Sequence, residues 1–102
     1  MIKVTEEKLV WRAPCGSSED SELWIRVFKG DQKTAFAAKM SGNGRYMAEF
    51  PSAKGWKAGE KPVFSGEADR ITVADDQGET LEVAIPGFWT IYAVGYSLVF
   101  VR

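Results

Sequence analysis

The sequence predicts an antiparallel β-sandwich of about seven short strands, with a small β-barrel as the alternative. Three observations carry that expectation. Apolar and polar residues alternate with a period of two in several short stretches, which suits half-buried strands. Clusters of Gly, Pro, Asn and Asp separate those stretches, as hairpin turns require. Core material is plentiful for a chain of 102 residues, which is 45% hydrophobic and 13% aromatic, with four Trp and six Phe. This length suits one domain of ~100–150 residues. No linker or internal repeat interrupts it, so residues 1–102 are expected to form a single β domain.

Taken in order, Ile2 and Val4 alternate with Lys3 and Thr5, and a second apolar piece, Leu9-Val10-Trp11, follows Glu6-Glu7-Lys8. Residues 13–21 read as a loop, being rich in breakers and small polar side chains. Residues 22–29 are expected to form a strand with Leu23, Ile25 and Val27 on one face and Glu22, Trp24, Arg26 and Phe28 on the other. Gly30-Asp31 turns the chain into residues 34–40, where Thr34, Phe36, Ala38 and Met40 share a side, although the alanines also fit a helical turn. Ser41-Gly42-Asn43-Gly44 predicts a tight hairpin, because Asn-Gly supplies the positive φ pair such a turn needs. The returning strand, residues 45–50, places Tyr46, Ala48 and Phe50 inward.

Residues 51–62 are the longest loop, bounded by prolines and basic in character. Val63-Phe64 is a short strand, and residues 71–74 and 81–85 flank a hairpin turn, Asp75-Asp76-Gln77-Gly78. Residues 88–101 are apolar at both parities, and a strand of that kind is covered on both sides. As one strand the run would extend ~45 Å at ~3.4 Å per residue, far beyond the usual length. It should break at Gly95. Its second face should be wrapped by other strands or meet another subunit or partner.

Net charge is −1, so no global pull toward nucleic acid or anionic membrane is expected. The distribution is less even. Residues 26–61 carry eight Lys or Arg against three acids, and residues 67–82 carry six acids against Arg70. Opposite lobes of this kind either attract each other across the fold or present two differently charged faces. The chain opens with charged residues and no apolar leader, which predicts a cytoplasmic protein. The apolar run 88–101 is too short for a membrane-spanning helix, which needs ~20 residues.

The chain has no histidine, which removes the commonest general base and the usual metal ligand. No nucleophile elbow, phosphate-binding glycine loop or Ser-x-x-Lys in a helical context is present, so no enzyme and no cofactor are expected. The single cysteine, Cys15, excludes an internal disulfide. Glu19, Asp20 and Glu22 nearby disfavour a reactive thiolate. The acidic turn at Asp75 and Asp76 offers oxygen ligands, but its spacing is that of a hairpin rather than a calcium loop.

Two groups are candidate partner-binding residues. Trp24, Arg26 and Phe28 occupy the parity where a half-buried strand would show Thr, Lys or Glu. Trp, Phe and Arg are the preferred anchors of protein interfaces. Their alternative role is a second small contact layer on a central strand, or a face that the loop covers. Lys54, Trp56 and Lys57, with Lys61, lie in the long loop. Aromatics among basic residues suit stacking on single-stranded nucleic acid; the net charge weighs against that use. The alternative is a solvated loop with Trp56 folded back on the core.

Residues Gly42-Asn43-Gly44-Arg45-Tyr46-Met47-Ala48-Glu49-Phe50 resemble the glycine-led turn and Tyr-x-Ala-x-Phe strand of immunoglobulin-like sandwich modules of phage and bacterial proteins. The Cys…Trp…Cys pattern of true immunoglobulin domains is absent. The resemblance implies a binding or structural role. Together these readings predict a noncatalytic protein–protein interaction module, such as a phage structural or accessory protein or a small inhibitor of a host factor. Homo-oligomerisation is compatible with it, and a single-stranded nucleic-acid-binding barrel is the alternative.

Overall fold

Two five-stranded sheets face each other across one apolar interior in the computed structural model. The structure describes residues 2–5, 11–18, 22–39, 44–50, 61–75 and 78–102, with the backbone alone at 11–18, 22, 44 and 45. The strands are β1 (Ile2–Val4), β2 (Trp11–Ser18), β3 (Glu22–Lys29), β4 (Gln32–Lys39), β5 (Gly44–Phe50), β6 (Phe64–Ala68), β7 (Arg70–Asp75), β8 (Gly78–Val83), β9 (Gly87–Val94) and β10 (Ser97–Val101). The first sheet runs β1-β8-β7-β3-β4 and the second β2-β5-β10-β9-β6. The expected sandwich is therefore the fold. The barrel alternative is not, because each sheet ends in two unjoined edges.

The strand count and the pairing differ from expectation. Ten strands are described rather than about seven, and two ladders are parallel, β1 with β8 and β5 with β10. Both parallel ladders join segments far apart in the chain, which alternation and turn residues do not reveal.

The inward faces follow the period-two pattern. Leu23, Ile25 and Val27 of β3 are buried, as are Tyr46, Ala48 and Phe50 of β5 and Trp89, Ile91, Leu98 and Phe100 of the last two strands. Phe50 and Phe100 stack with centroids 4.9 Å apart, and Trp89 meets both edge-on. The Trp89 indole N–H donates to the Ile85 carbonyl at 2.9 Å, so the ring is buried without an orphaned donor. Tyr46 of the second sheet and Thr80 of the first are joined by their hydroxyls.

The turns at Gly30-Asp31 and Gly95-Tyr96 are two-residue hairpins, closing Lys29 on Gln32 and Val94 on Ser97. Gly30 and Gly95 sit at φ 56° and 59°, where a side chain is disfavoured. The break expected at Gly95 is thus a full reversal into β10. Asp75 and Gly78 are likewise opposite each other between β7 and β8, although residues 76 and 77 lie outside the described ones.

Three expectations are corrected. The Asn43-Gly44 hairpin does not join β4 to β5, because β4 is the edge of the first sheet and β5 lies inside the second. Phe36 and Ala38 approach the core from one sheet, and Tyr46, Ala48 and Phe50 from the other. Facing sheets bury both sets, which a flat hairpin does not. Residues 41–43 lie outside the described ones.

The loop read over residues 13–21 is a strand through Ser18. Its register against β5 shifts between Pro14 and Gly16, and β2 is an edge, the setting in which a strand tolerates proline.

The short strand at Val63-Phe64 is instead β6, extending to Ala68. Its inward residues Gly66 and Ala68 are small, so they give little hydrophobic signal. Gly66 lies opposite Trp89, and a Cβ on it would stand 3.2 Å from the Phe64 ring.

Candidate functional site

The outer face of the first sheet is organised by β3, which lies between β7 and β4. Three of its outward residues, Trp24, Arg26 and Phe28, each have two cross-strand neighbours, and these decide how each side chain is presented. Trp24 is flanked by Ala74 on β7 and Ala37 on β4. Neither methyl can cover an indole, and Trp24 is 47% exposed in the middle of a regular strand. Arg26 lies between Thr72 and Ala35, and its guanidinium reaches Glu79 at 3.6 Å. Phe28 lies between Arg70 and Lys33. The Arg70 guanidinium stands 4.1 Å from the ring centroid and the Lys33 ammonium 5.8 Å from it, so the ring is clamped from both sides.

Behind this row runs a charged ladder. Arg70 binds Glu82 at 3.1 Å, and Lys3 of β1 reaches the other oxygen of the same carboxylate at 3.5 Å. Glu82 is buried, and its two cations compensate that burial. Thr72 lies between Arg26 and Glu82 and is 1% exposed, yet its hydroxyl has no hydrogen-bond partner among the described residues.

The two charge lobes of the sequence meet here. Arg26 pairs with Glu79, and Lys29 with Glu67 at 3.3 Å and Asp69 at 3.7 Å. Two of the eight basic residues of that lobe are thus paired with acids of strands β6 to β8 and the residue between them. The lysines of β4 lie one strand further out. Lys33 and Lys39 are exposed, and no carboxylate among the described residues is in ion-pair range of either.

Trp24, Arg26 and Phe28 are therefore brought together on one outward face. Lys54, Trp56 and Lys57 lie outside the described residues, and Lys61 is exposed. Sequence reasoning missed Ala35, Ala37 and Ala74, the floor around Trp24, and Arg70, which holds Phe28. Alanines alternating at 35 and 37 were the available signal, since an outward strand face is usually polar.

The second face of the C-terminal hairpin is half covered. Val99 and Ser97 are buried, Tyr92 and Val94 half-buried, and Phe88 and Tyr96 exposed.

The fold and this face define a two-sheet β-sandwich with an aromatic and basic outer surface. No family model, no curated protein and no solved structure matches the chain. Among the described residues, no three side chains of the metal-binding types converge, and no helix is long and apolar enough to cross a membrane.

Proposed function

We propose that this chain is a noncatalytic protein–protein interaction module that docks a partner on the outer face of its first sheet, centred on Trp24. The observation that carries the reading is an indole 47% exposed above a floor of Ala37 and Ala74. Covering the exposed part of that ring contributes roughly 2–3 kcal/mol at ~25 cal/mol per Å². This is the scale of an interface anchor. Arg26 and the clamped Phe28 extend the patch along β3 and supply a polar margin with one edge already rigid.

The immunoglobulin-like resemblance of residues 42–50 points to the same kind of role. A structural or accessory protein of a phage, or a small inhibitor of a host factor, would use such a face in the cytoplasm. Single-stranded nucleic acid is the less suitable ligand, because Arg26 and Arg70 are already paired with Glu79 and Glu82.

Photo-crosslinking in the native cell tests this. A benzoylphenylalanine at position 37, beside Trp24, should capture one protein partner, and Trp24→Ala should abolish that capture while the protein stays folded. The same probe at Ser65, outward on the second sheet, should not capture it. Equal capture from both positions, or capture indifferent to Trp24→Ala, would sink the reading.

A further inference from the structure

The four sheet edges are not alike. β1 is three residues long, β2 carries Pro14 and a register shift, and β6 has five residues including Gly66. Shortness, proline and bulges are the ordinary means by which an edge avoids pairing with another strand. β4 has none of these three, and its remaining protection is the pair of exposed lysines, Lys33 and Lys39, which repel a like-charged strand. It spans eight residues, pairs with β3 without any register shift from Glu22↔Lys39 to Lys29↔Gln32, and exposes Gln32, Lys33, Thr34, Ala35, Ala37 and Lys39. In an antiparallel pair closed by a two-residue turn, the residues flanking the turn bond to each other, and so does every second pair after them. The N–H and C=O groups of Lys33, Ala35, Ala37 and Lys39 therefore point away from β3, toward the open side.

We infer that the free edge of β4 accepts an extended, acidic segment of a partner protein as an added antiparallel strand. The inference rests on the protein-docking reading above and names the partner's chemistry. Charge selects the occupant. β4 contains two lysines and no acid, and neither lysine has a carboxylate partner among the described residues. A second copy of this chain would bring four lysines and no carboxylate from the two β4 strands to one seam, which repels.

A strand with acids opposite Lys33 and Lys39 instead gives Lys33 an acidic neighbour and adds one beside Lys39 on the side away from Glu22, its partner position on β3. Between them, its outward residues lie beside Ala35 and Ala37, where the space is open and Trp24 is the next side chain across. Its inward residues continue the apolar rim at which Phe36 of β4 meets Phe64 of β6, with centroids 5.6 Å apart. Main-chain pairing supplies affinity and the alternate side chains supply selection.

The test uses the full isotope-labelled chain and a capped heptapeptide, Glu-Val-Thr-Val-Thr-Val-Glu, followed by amide chemical shifts. Binding should move the amides of Lys33, Ala35, Ala37 and Lys39 first. The same peptide with Lys at both ends should bind roughly tenfold more weakly. The double variant Lys33→Glu with Lys39→Glu should reverse that preference. Ala37→Pro, which removes an open N–H but no β3–β4 bond, should fold and lose the binding.

No shift at β4 at saturating peptide, equal binding of both peptides, or shifts confined to β2 or β6 overturns the inference. So does a wild-type dimer in sedimentation equilibrium that Ala37→Pro dissociates, because the edge would then belong to a second copy. Crosslinking at position 37 that depends on Trp24 but survives Lys33→Glu with Lys39→Glu keeps the docking face and discards the added strand.

Discussion

The Asp69 carboxylate accepts the backbone N–H of Gly30 at 2.7 Å, tying the only residue between β6 and β7 to the tip of the β3–β4 hairpin. Asp69 is where the chain passes from the second sheet to the first. Its own N–H donates to the Phe28 carbonyl at 2.7 Å, and Lys29 approaches its other oxygen. One residue thus fixes the corner of the sandwich and the outer end of β3, the strand that presents Trp24, Arg26 and Phe28. Replacing it with alanine leaves the Gly30 N–H to solvent and removes a charge-assisted bond at a half-exposed site. Asp69→Ala should lower stability by about 1 kcal/mol, measured by urea unfolding. Asp69→Asn, which keeps an acceptor, should recover part of it.

Thr72 gives the opposite sign. Its hydroxyl is buried without a partner among the described residues, a condition that costs ~1–3 kcal/mol. Thr72→Val keeps the branched shape that suits a central strand and removes the hydroxyl. The variant should be more stable by about 1 kcal/mol, with an unchanged urea m-value. A loss of stability would mean that the hydroxyl has a partner.

The clamp on Phe28 predicts coupling between two positions rather than a large effect at either. A double-mutant cycle of Phe28→Leu and Arg70→Met should return an interaction energy of about 0.5–1 kcal/mol. The cation lies 4.1 Å from the ring centroid and is itself held by Glu82, so it is placed before Phe28 arrives. Raising salt should weaken the coupling, because the Arg70 side chain that carries the charge is itself 45% exposed.

The strand faces were legible in the sequence because each face has one environment. Leu23, Ile25 and Val27 alternate with Trp24, Arg26 and Phe28; the aliphatic trio is buried, and the other three side chains point outward. Pairing partners were less legible. Asn43-Gly44 is compatible with a tight turn, but partner choice is settled by which strands bury their faces together, and β5 takes β2 and β10. Strand β6 was hidden because Trp89 fills the space its inward residues leave, so that Gly66 and Ala68 suffice there. At the candidate site, the aromatic stripe could be read from β3 alone. The alanine floor and the Arg70 clamp come from strands 11 to 50 positions away, and nothing local to Trp24 marks them.

Trp24 and Trp89 test the division between face and core with one kind of substitution. Trp89 is 3% exposed, meets Phe50 and Phe100 edge-on, and donates its N–H to Ile85. Trp89→Ala should cost about 3–5 kcal/mol and can unfold a domain of this size outright. Trp24 stands above alanines with nearly half its surface in water. Its truncation forfeits only the contact of the ring base with the sheet, so Trp24→Ala should cost about 1 kcal/mol or less. Thermal unfolding of the two variants side by side checks the contrast. Comparable losses would place Trp24 in the structural framework, and an indole needed to hold the fold is not free to serve as the anchor of an interface.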